Sequence, residues 1–352
     1  MSLIDTMNLK EGLKIEKPII SKDGKVLVRE NIPLTKEMLN RLKKFDFKDI
    51  ELNDENSERI ETSLNKKEVL NEIEKVYTNV SNIENGLSVE FVSQNFFPIV
   101  DQLIEETSKK RDLSSLLSSV YEYDNYLYEH SLNVALYVLA IGNELRLVKE
   151  DLKMLTLGGL LHDIGKLSIP KEILLKEGPL TNEEFTIIKT HPILGYQMLT
   201  ENPGLPKVIL KMVMEHHEAL NGTGYPRGLT EPFIHPFSMI ISVADIFDAL
   251  TTNRSYRKAY LPHQALEILY TMVGTKLNIN YVEAFRSAVY VYPKKTFLSL
   301  NDGRKGYVIQ QNEGLNDRPI IRIYEENGKA ILPYDLDLSV ELTTYVVDVL
   351  KK

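Results

Sequence analysis

The sequence contains no cysteine. This excludes disulfides, thiolate metal sites, iron–sulfur clusters and cysteine nucleophiles in one step, so any metal must be held by histidine and carboxylate. Long apolar runs are also missing: the longest, Val134 to Gly142, is half the length of a membrane span. The opening Met1-Ser-Leu-Ile-Asp-Thr has no basic stretch leading into an apolar one. Together these features predict a cytoplasmic chain with no membrane span. Basic residues are in the minority, 42 against 50 acidic ones for a net charge of −8. That argues against a wide footprint on a nucleic-acid polymer and leaves room for a local basic pocket for a small phosphate ligand. No internal repeat or low-complexity tract is visible. The remaining composition, 43% apolar and 26% charged, is that of a soluble globular chain, and 352 residues divide into about two or three folding units.

Residues 1–54 read as a small α+β unit. Leu13 to Ile20 and Lys25 to Val28 are short apolar-rich runs around Ser21-Lys22-Asp23-Gly24, a hairpin signal. Thr35 is placed to cap a helix running to Phe45, with a last strand near Asp49 to Leu52. Residues 55–115 read as linker and amphipathic helices. The stretch Asn53 to Lys67 is polar, and beyond it Val69, Leu70, Ile73, Val76, Tyr77, Val80 and Ile83 recur at helical spacing. Such a stripe must lie on something, and it reads as a domain-connecting or dimer-forming helix, with a homodimer expected. Residues 116–290 are helical nearly throughout, with breaks at Gly142, Gly165, Pro170, Gly178-Pro179, Pro192, Pro203 to Pro206 and the Asn221 to Pro236 loop. Residues 291–352 change character. Gly306 to Gln310, Pro319 to Tyr324 and Lys329 to Leu332 alternate with turn residues and predict a small antiparallel sheet, with Val340 to Leu350 as a final helix. The fold class is thus mainly α, a helical core between a small α+β unit and a β-rich end.

Six of the seven histidines, His130, His162, His191, His216, His217 and His235, fall between residues 130 and 235. A lone histidine is usually structural, but these have company. Asp163 follows His162 at once, His216-His217 stands between Glu215 and Glu218, and Asp245 and Asp248 lie on the otherwise apolar segment Phe237 to Leu250. An Asp among Met239, Ile240, Ile241, Val243, Ile246 and Phe247 is costly to bury unless a cation or donor compensates it. Adjacent helical residues point about 100° apart, so His162 and Asp163 should not chelate one ion from the same face. A carboxylate with two oxygens can instead bridge a pair of ions, which argues for two metals sharing Asp163. Histidine and carboxylate ligands suit Fe, Mn, Zn or Co better than Ca or Mg. Two ions about 3.5–4 Å apart hold a bridging water as hydroxide and clamp a phosphoester.

These residues resemble a known family. His162-Asp163-Ile164-Gly165-Lys166 is similar to the HD-x-G-K signature of the HD phosphohydrolase superfamily. His216-His217-Glu218 with Gly222-Thr223-Gly224-Tyr225-Pro226 resembles the block that defines its HD-GYP subfamily. The match continues through His130-Ser131, Ile173-Leu174, Lys176, Gly178 to Thr181, His191-Pro192, Gly195, Val243 to Thr251, Arg254 and Tyr256-Arg257, about half the chain and in the expected order. The resemblance implies an HD-type helical bundle that hydrolyses cyclic di-GMP to linear di-GMP, and often on to GMP, by a metal-bridging hydroxide. It implies one ion on His130, His162, Asp163 and Asp245 and another on Asp163, His191 and His216, with His217 either a further ligand or a donor to one. Two ions per chain are expected, iron or manganese, with Zn, Ni or Co able to occupy the site in purified protein.

Asp163 and Lys166 are the expected catalytic residues, Lys166 stabilising charge on the phosphate oxygens. The alternative for Lys166 is a partner for a helix C-terminus. Gly224, Tyr225, Pro226, Asp248, Arg254 and Arg257 are the expected substrate contacts, with Tyr225 offering a flat face to guanine and the glycines allowing φ > 0 and close ligand approach. For the arginines a solvated helix end is the alternative. Two departures stand out: Asn221 replaces the usual Asp before Gly-x-Gly-Tyr-Pro, and Tyr126 stands where trinuclear members carry Glu. Relatives also suggest diguanylate cyclase-type partners for the Gly-Tyr-Pro loop. Three readings follow: an active cyclic di-GMP phosphodiesterase, a cyclic di-GMP receptor with little turnover, and a phosphodiesterase for another cyclic dinucleotide such as cyclic GMP-AMP.

Overall fold

A computed structural model describes residues 66–80, 87–110, 126–200, 204–252 and 258–350, with short pieces of the first 51. The chain divides into two units, Met1–Thr62 and Ser63–Lys352. In the first, β1 (Leu3–Ile4) pairs with β4 (Ile50–Glu51) and β2 (Ile19–Ile20) with β3 (Val26–Val28), all antiparallel. Helix α1 (Lys36–Leu42) starts where Thr35 Oγ1 accepts the Met38 amide at 3.3 Å, as its position predicts.

The second unit is a helical bundle followed by a sheet. Its helices are α2 (Lys66–Val80), α3 (Val89–Asn95), α4 (Phe97–Lys110), α5 (Tyr126–Glu144), α6 (Lys149–Leu161), α7 (Lys171–Leu174), α8 (Asn182–Ile188), α9 (His191–Thr200), α10 (Lys207–Glu215), α11 (Pro236–Thr251), α12 (Pro262–Thr271) and α13 (Ile279–Ala288). Helix α5 is the axis. Leu132 and Val134 to Ile141 are all buried because α2, α6, α11 and α13 pack around it. This accounts for the longest apolar run, and α5 continues through Gly142, where a break was expected. Among the described residues no helix is long and apolar enough to cross a membrane.

The stripe on α2 corrects one expectation. Val69, Leu70, Ile73, Val76, Tyr77 and Val80 are buried in the same core as α5 and α6, so this face is covered by the chain itself rather than offered to a second copy. Ile83 lies outside the described residues. The C-terminal sheet is antiparallel in the order β8-β7-β6-β5-β9, with β5 Phe297–Leu300, β6 Arg304–Gln310, β7 Ile320–Glu326, β8 Lys329–Asp337 and β9 Val346–Leu350. The final helix expected over Val340 to Leu350 is absent, and β9 pairs with β5 instead. Thr343, Thr344, Val346 and Val347 are β-branched, and the strand adds to a sheet edge already present, which favours a strand over the expected helix.

Candidate metal centre

Five helices and the turn that follows one of them bring the histidines and acids together. His130 stands on α5, Asp245 on α11, His191 at the start of α9, and His216 caps the end of α10. His162 ends α6, and Asp163, with φ −100° and ψ 10°, has already left the helical path before a 3-10 turn over Ile164–Ser168. This corrects the 100° argument. Outside a helix the two neighbours do converge, and His162 Nε2 lies 3.4 Å from Asp163 Oδ2. Gly165 makes the approach to α9 possible, since a Cβ there would sit 2.0 Å from the His191 carbonyl oxygen.

Two groups of ligand atoms result: His130, His162 and Asp245 in one, and Asp163, His191, His216 and His217 in the other, the atoms within each lying within 4.8 Å of one another. Asp163 faces both. Its Oδ2 is 3.3 Å from His130 Nε2, and its Oδ1 is 3.1 Å from His191 Nε2.

The hydrogen bonds behind the rings settle what these nitrogens offer. His162, His191 and His216 each turn Nδ1 to the carbonyl three residues back, on Gly159, Ile188 and Val213, at 2.7–2.8 Å. A carbonyl only accepts, so Nδ1 carries the proton and Nε2 presents a lone pair to the centre. His130 Nδ1 does the same toward Asp248 Oδ2 at 2.7 Å. The lone pairs then meet: His162 Nε2 is 3.2 Å from His130 Nε2, and His191 Nε2 is 3.2 Å from His216 Nε2. Asp163 Oδ1 is buried and, among the described residues, has no hydrogen-bond donor. Converging lone pairs around an orphaned carboxylate oxygen repel one another unless a cation sits among them, and this cysteine-free donor set fits a transition-metal ion.

The charges agree. Burial and the neighbouring imidazoles push His216 well below its ordinary pKa, and burial likewise lowers His217, so both rings are neutral as a ligand requires. Burial alone would raise the Asp163 carboxyl, but Lys166, whose Nζ donates to Oδ2, holds it well below the usual carboxylate range. Lys166 is thus on the rim of the centre, with its side chain 16% exposed.

The Gly-Tyr-Pro loop lies against the second group. Tyr225 stacks on His217 with centroids 4.6 Å apart and planes at 29°, so one face of the ring is already covered. The Tyr225-Pro226 peptide is cis. Gly222 has φ +77°, but Gly224 does not have positive φ. A Cβ on Gly224 would fall 2.4 Å from the Ala219 amide nitrogen, so the close approach is to the chain itself rather than to a ligand. Asn221 Oδ1 accepts from the Thr223 amide and hydroxyl at 3.1 and 2.7 Å, the acceptor role that an Asp would fill.

Asp248 also departs from expectation. Its carboxylate is 1% exposed and takes the His130 ring on one oxygen and Asn133 Nδ2, at 2.9 Å, on the other, so it orients a ligand and is not open to substrate. Glu215 and Glu218, the neighbours of the histidine pair, tie down the loop. Glu215 accepts from Arg227 Nη2 and the His235 amide, and Glu218 from the amides of Arg227 and Leu229. Asn133 and both Glu roles were not read from the sequence, where they look like ordinary helix residues. Arg254, Arg257 and the Tyr126 side chain lie outside the described residues.

The HD domain family matches residues 107–279, the segment that carries every one of these ligands. Residues 107–279 thus match an HD domain. Over 226 residues, 63% of this chain and 54% of the relative, it is 33% identical to a cyclic di-GMP phosphodiesterase of Pseudomonas aeruginosa. Over 168 residues, 48% of this chain and 36% of the relative, it is 36% identical to a 3'3'-cGAMP-specific phosphodiesterase of Vibrio cholerae. The chain spans about half the length of the first of these relatives and less of the second. An HDG"Y"P protein from Bdellovibrio bacteriovorus shares the fold, with a TM-score of 0.53 at 21% identity over 81% of this chain and 97% of the other. That likeness reaches beyond the HD domain itself.

Proposed function

We propose that the HD domain hydrolyses a phosphodiester bond of a cyclic dinucleotide, cyclic di-GMP in the first instance, to the linear dinucleotide and from it to GMP. The observation that carries this reading is Asp163, whose two oxygens each face a different set of imidazole lone pairs. Two ions would be held there, one by Asp163 with His130, His162 and Asp245 and the other by Asp163 with His191, His216 and His217. Iron or manganese suits these ligands. When bound, the pair would activate water and clamp the phosphoester oxygens. The protein's own part is orientation: Gly159, Ile188, Val213 and Asp248 fix the tautomer and direction of four rings. Lys166 stands beside Asp163 at the rim, where its ammonium can meet a phosphate oxygen as charge grows in the transition state. Tyr225 offers its uncovered face to a base. Residues 116–290 act as the catalytic segment, with residues 1–54 accessory to it.

The Vibrio relative favours a second reading, in which the substrate is cyclic GMP-AMP. Protein loaded anaerobically with Fe(II) or Mn(II) and given cyclic di-GMP and cyclic GMP-AMP in competition separates the two, and is expected to consume cyclic di-GMP faster. Faster loss of cyclic GMP-AMP would reassign the substrate. Tight binding of either without turnover, at about two bound ions per chain, would make the domain a receptor.

A further inference from the structure

We infer that Tyr77, on helix α2 N-terminal to the HD domain, is a positioning residue for the metal centre, capping the helix end from which His162 and Asp163 project. The inference rests on the metal-centre reading above but not on the substrate. Tyr77 is fully buried, and its ring meets Phe96 and Tyr128 edge-on, with centroids 6.0 and 5.3 Å away. Its hydroxyl reaches two groups, the Leu160 carbonyl and, at 3.2 Å, Ser131 Oγ. A carbonyl cannot donate, so the phenol proton goes to Leu160 and the Ser131 hydroxyl donates back to the phenol oxygen.

Both contacts are next to ligands. Leu160 is two residues before His162, and its carbonyl is among the last four of α6, which have no amide partner within the helix. The preceding carbonyl, Gly159, is taken by the His162 ring itself. Consecutive carbonyls at the end of α6 are therefore closed by side chains, one by a ligand and one by Tyr77. Ser131 follows His130 on α5, so a single hydroxyl spans two of the three helices that carry the first ligand group. A phenylalanine would pack as well as tyrosine among Phe96 and Tyr128, but it could not bind the carbonyl. The hydroxyl's purpose is to hold the two chain segments in register, and with them the spacing of the imidazole nitrogens at 3.2 Å.

The test compares Tyr77→Phe with Ile73→Val in the full chain. Ile73 is buried one turn earlier on α2, and its variant loosens packing on the same helix face while keeping the Tyr77 hydroxyl that bonds Leu160 and Ser131. Mn(II) or Zn(II) affinity of the stripped proteins, measured against a competing chelator, is expected to fall about tenfold or more for Tyr77→Phe, the usual cost of losing a group that orients a ligand. It is expected to change less than twofold for Ile73→Val, with helicity retained in both. Ser131→Ala, which leaves Leu160 capped, should fall between them. Equal metal affinity for Tyr77→Phe and the parent would overturn the inference, as would an equal fall for Ile73→Val at a matched loss of thermal stability. Neither result depends on turnover: a parent chain that binds metal but hydrolyses no cyclic dinucleotide defeats the proposed function and leaves the Tyr77 comparison standing.

Discussion

The two ligand groups meet at Asp163, and again where Asp245 Oδ2 comes within 3.6 Å of His217 Nδ1, yet they are built on different ground. His130 and Asp245 stand within two core helices of the bundle, His162 ends a third, and none of the three residues is more than 8% exposed. His130 is further backed by the buried Asp248–Asn133 pair. His191 and His216 stand at helix ends, and His217, its side chain 24% exposed, lies under a loop. The first group is therefore part of the core, with its geometry set by packing that extends far from the site. In the proposed function the second group faces the substrate through its outer member, His217, which trades burial for contact with Tyr225. Rigidity on one side and access on the other is what a hydrolytic centre needs, because ligand spacing must hold while substrate enters and product leaves.

Asp163→Asn attacks what both groups share. One substitution removes a carboxylate that faces both groups at close range while keeping its volume, so both ions should be lost or weakly held, and hydrolysis should fall by about a thousandfold or more, as several kcal/mol of charge stabilisation disappear. Ion analysis with rate measurement and circular dichroism checks this, and the helical signal should persist. Loss of ions from one group alone would show that the halves are independent. Asp248→Asn attacks only the first group. An amide has one acceptor where the carboxylate has two, so either His130 or Asn133 is left facing an N–H. Ion affinity should fall about 10–100-fold for one of the two ions and stay unchanged for the other. A chelator titration resolving two sites reads this directly, and equal weakening of both would mean that Asp163 couples the halves too tightly to be told apart.

The ligand groups were legible in the sequence chiefly through the resemblance of its His and Asp motifs to a known family, and metal chemistry pointed the same way. Without cysteine, a buried Asp on an apolar helix and a His-Asp pair have little other explanation. What stayed hidden was the division of labour between similar residues. Asp245 and Asp248 are one turn apart on α11, and nothing in their spacing says that one faces the centre and the other backs a ring on α5. That distinction arises from how α5 and α11 pack. Tyr77 likewise reads as one more apolar position in a stripe, because its hydroxyl matters only through the end of a distant helix. Gly224 was expected to admit a ligand and instead admits the backbone of Ala219, a contact closed within one loop but invisible to φ preferences. The last strand was misread for a related reason: Val346–Leu350 becomes β only because β5 offers an edge.

The smallest expected effect tests the outer wall. Tyr225 covers His217 with one face and leaves the other for a base, so Tyr225→Ala should cost binding of cyclic di-GMP about 1–3 kcal/mol, the range for losing an aromatic stacking partner. Hydrolysis of a small diester such as bis(p-nitrophenyl) phosphate, which has no base to stack, should stay within about twofold. Tyr225→Phe should keep both, since its ring rather than its hydroxyl makes the contact. The competing effect is that removing the ring also exposes His217 and frees it to turn. His217 nevertheless shares its group with His191, His216 and Asp163, all nearly fully buried, so the ion on that side keeps three fixed ligands. The substrate-dependent loss should therefore dominate. Equal losses on both substrates, with ion content reduced, would mean that the ring serves the metal through His217, and the outer wall would then be as much a part of the rigid machinery as the inner one.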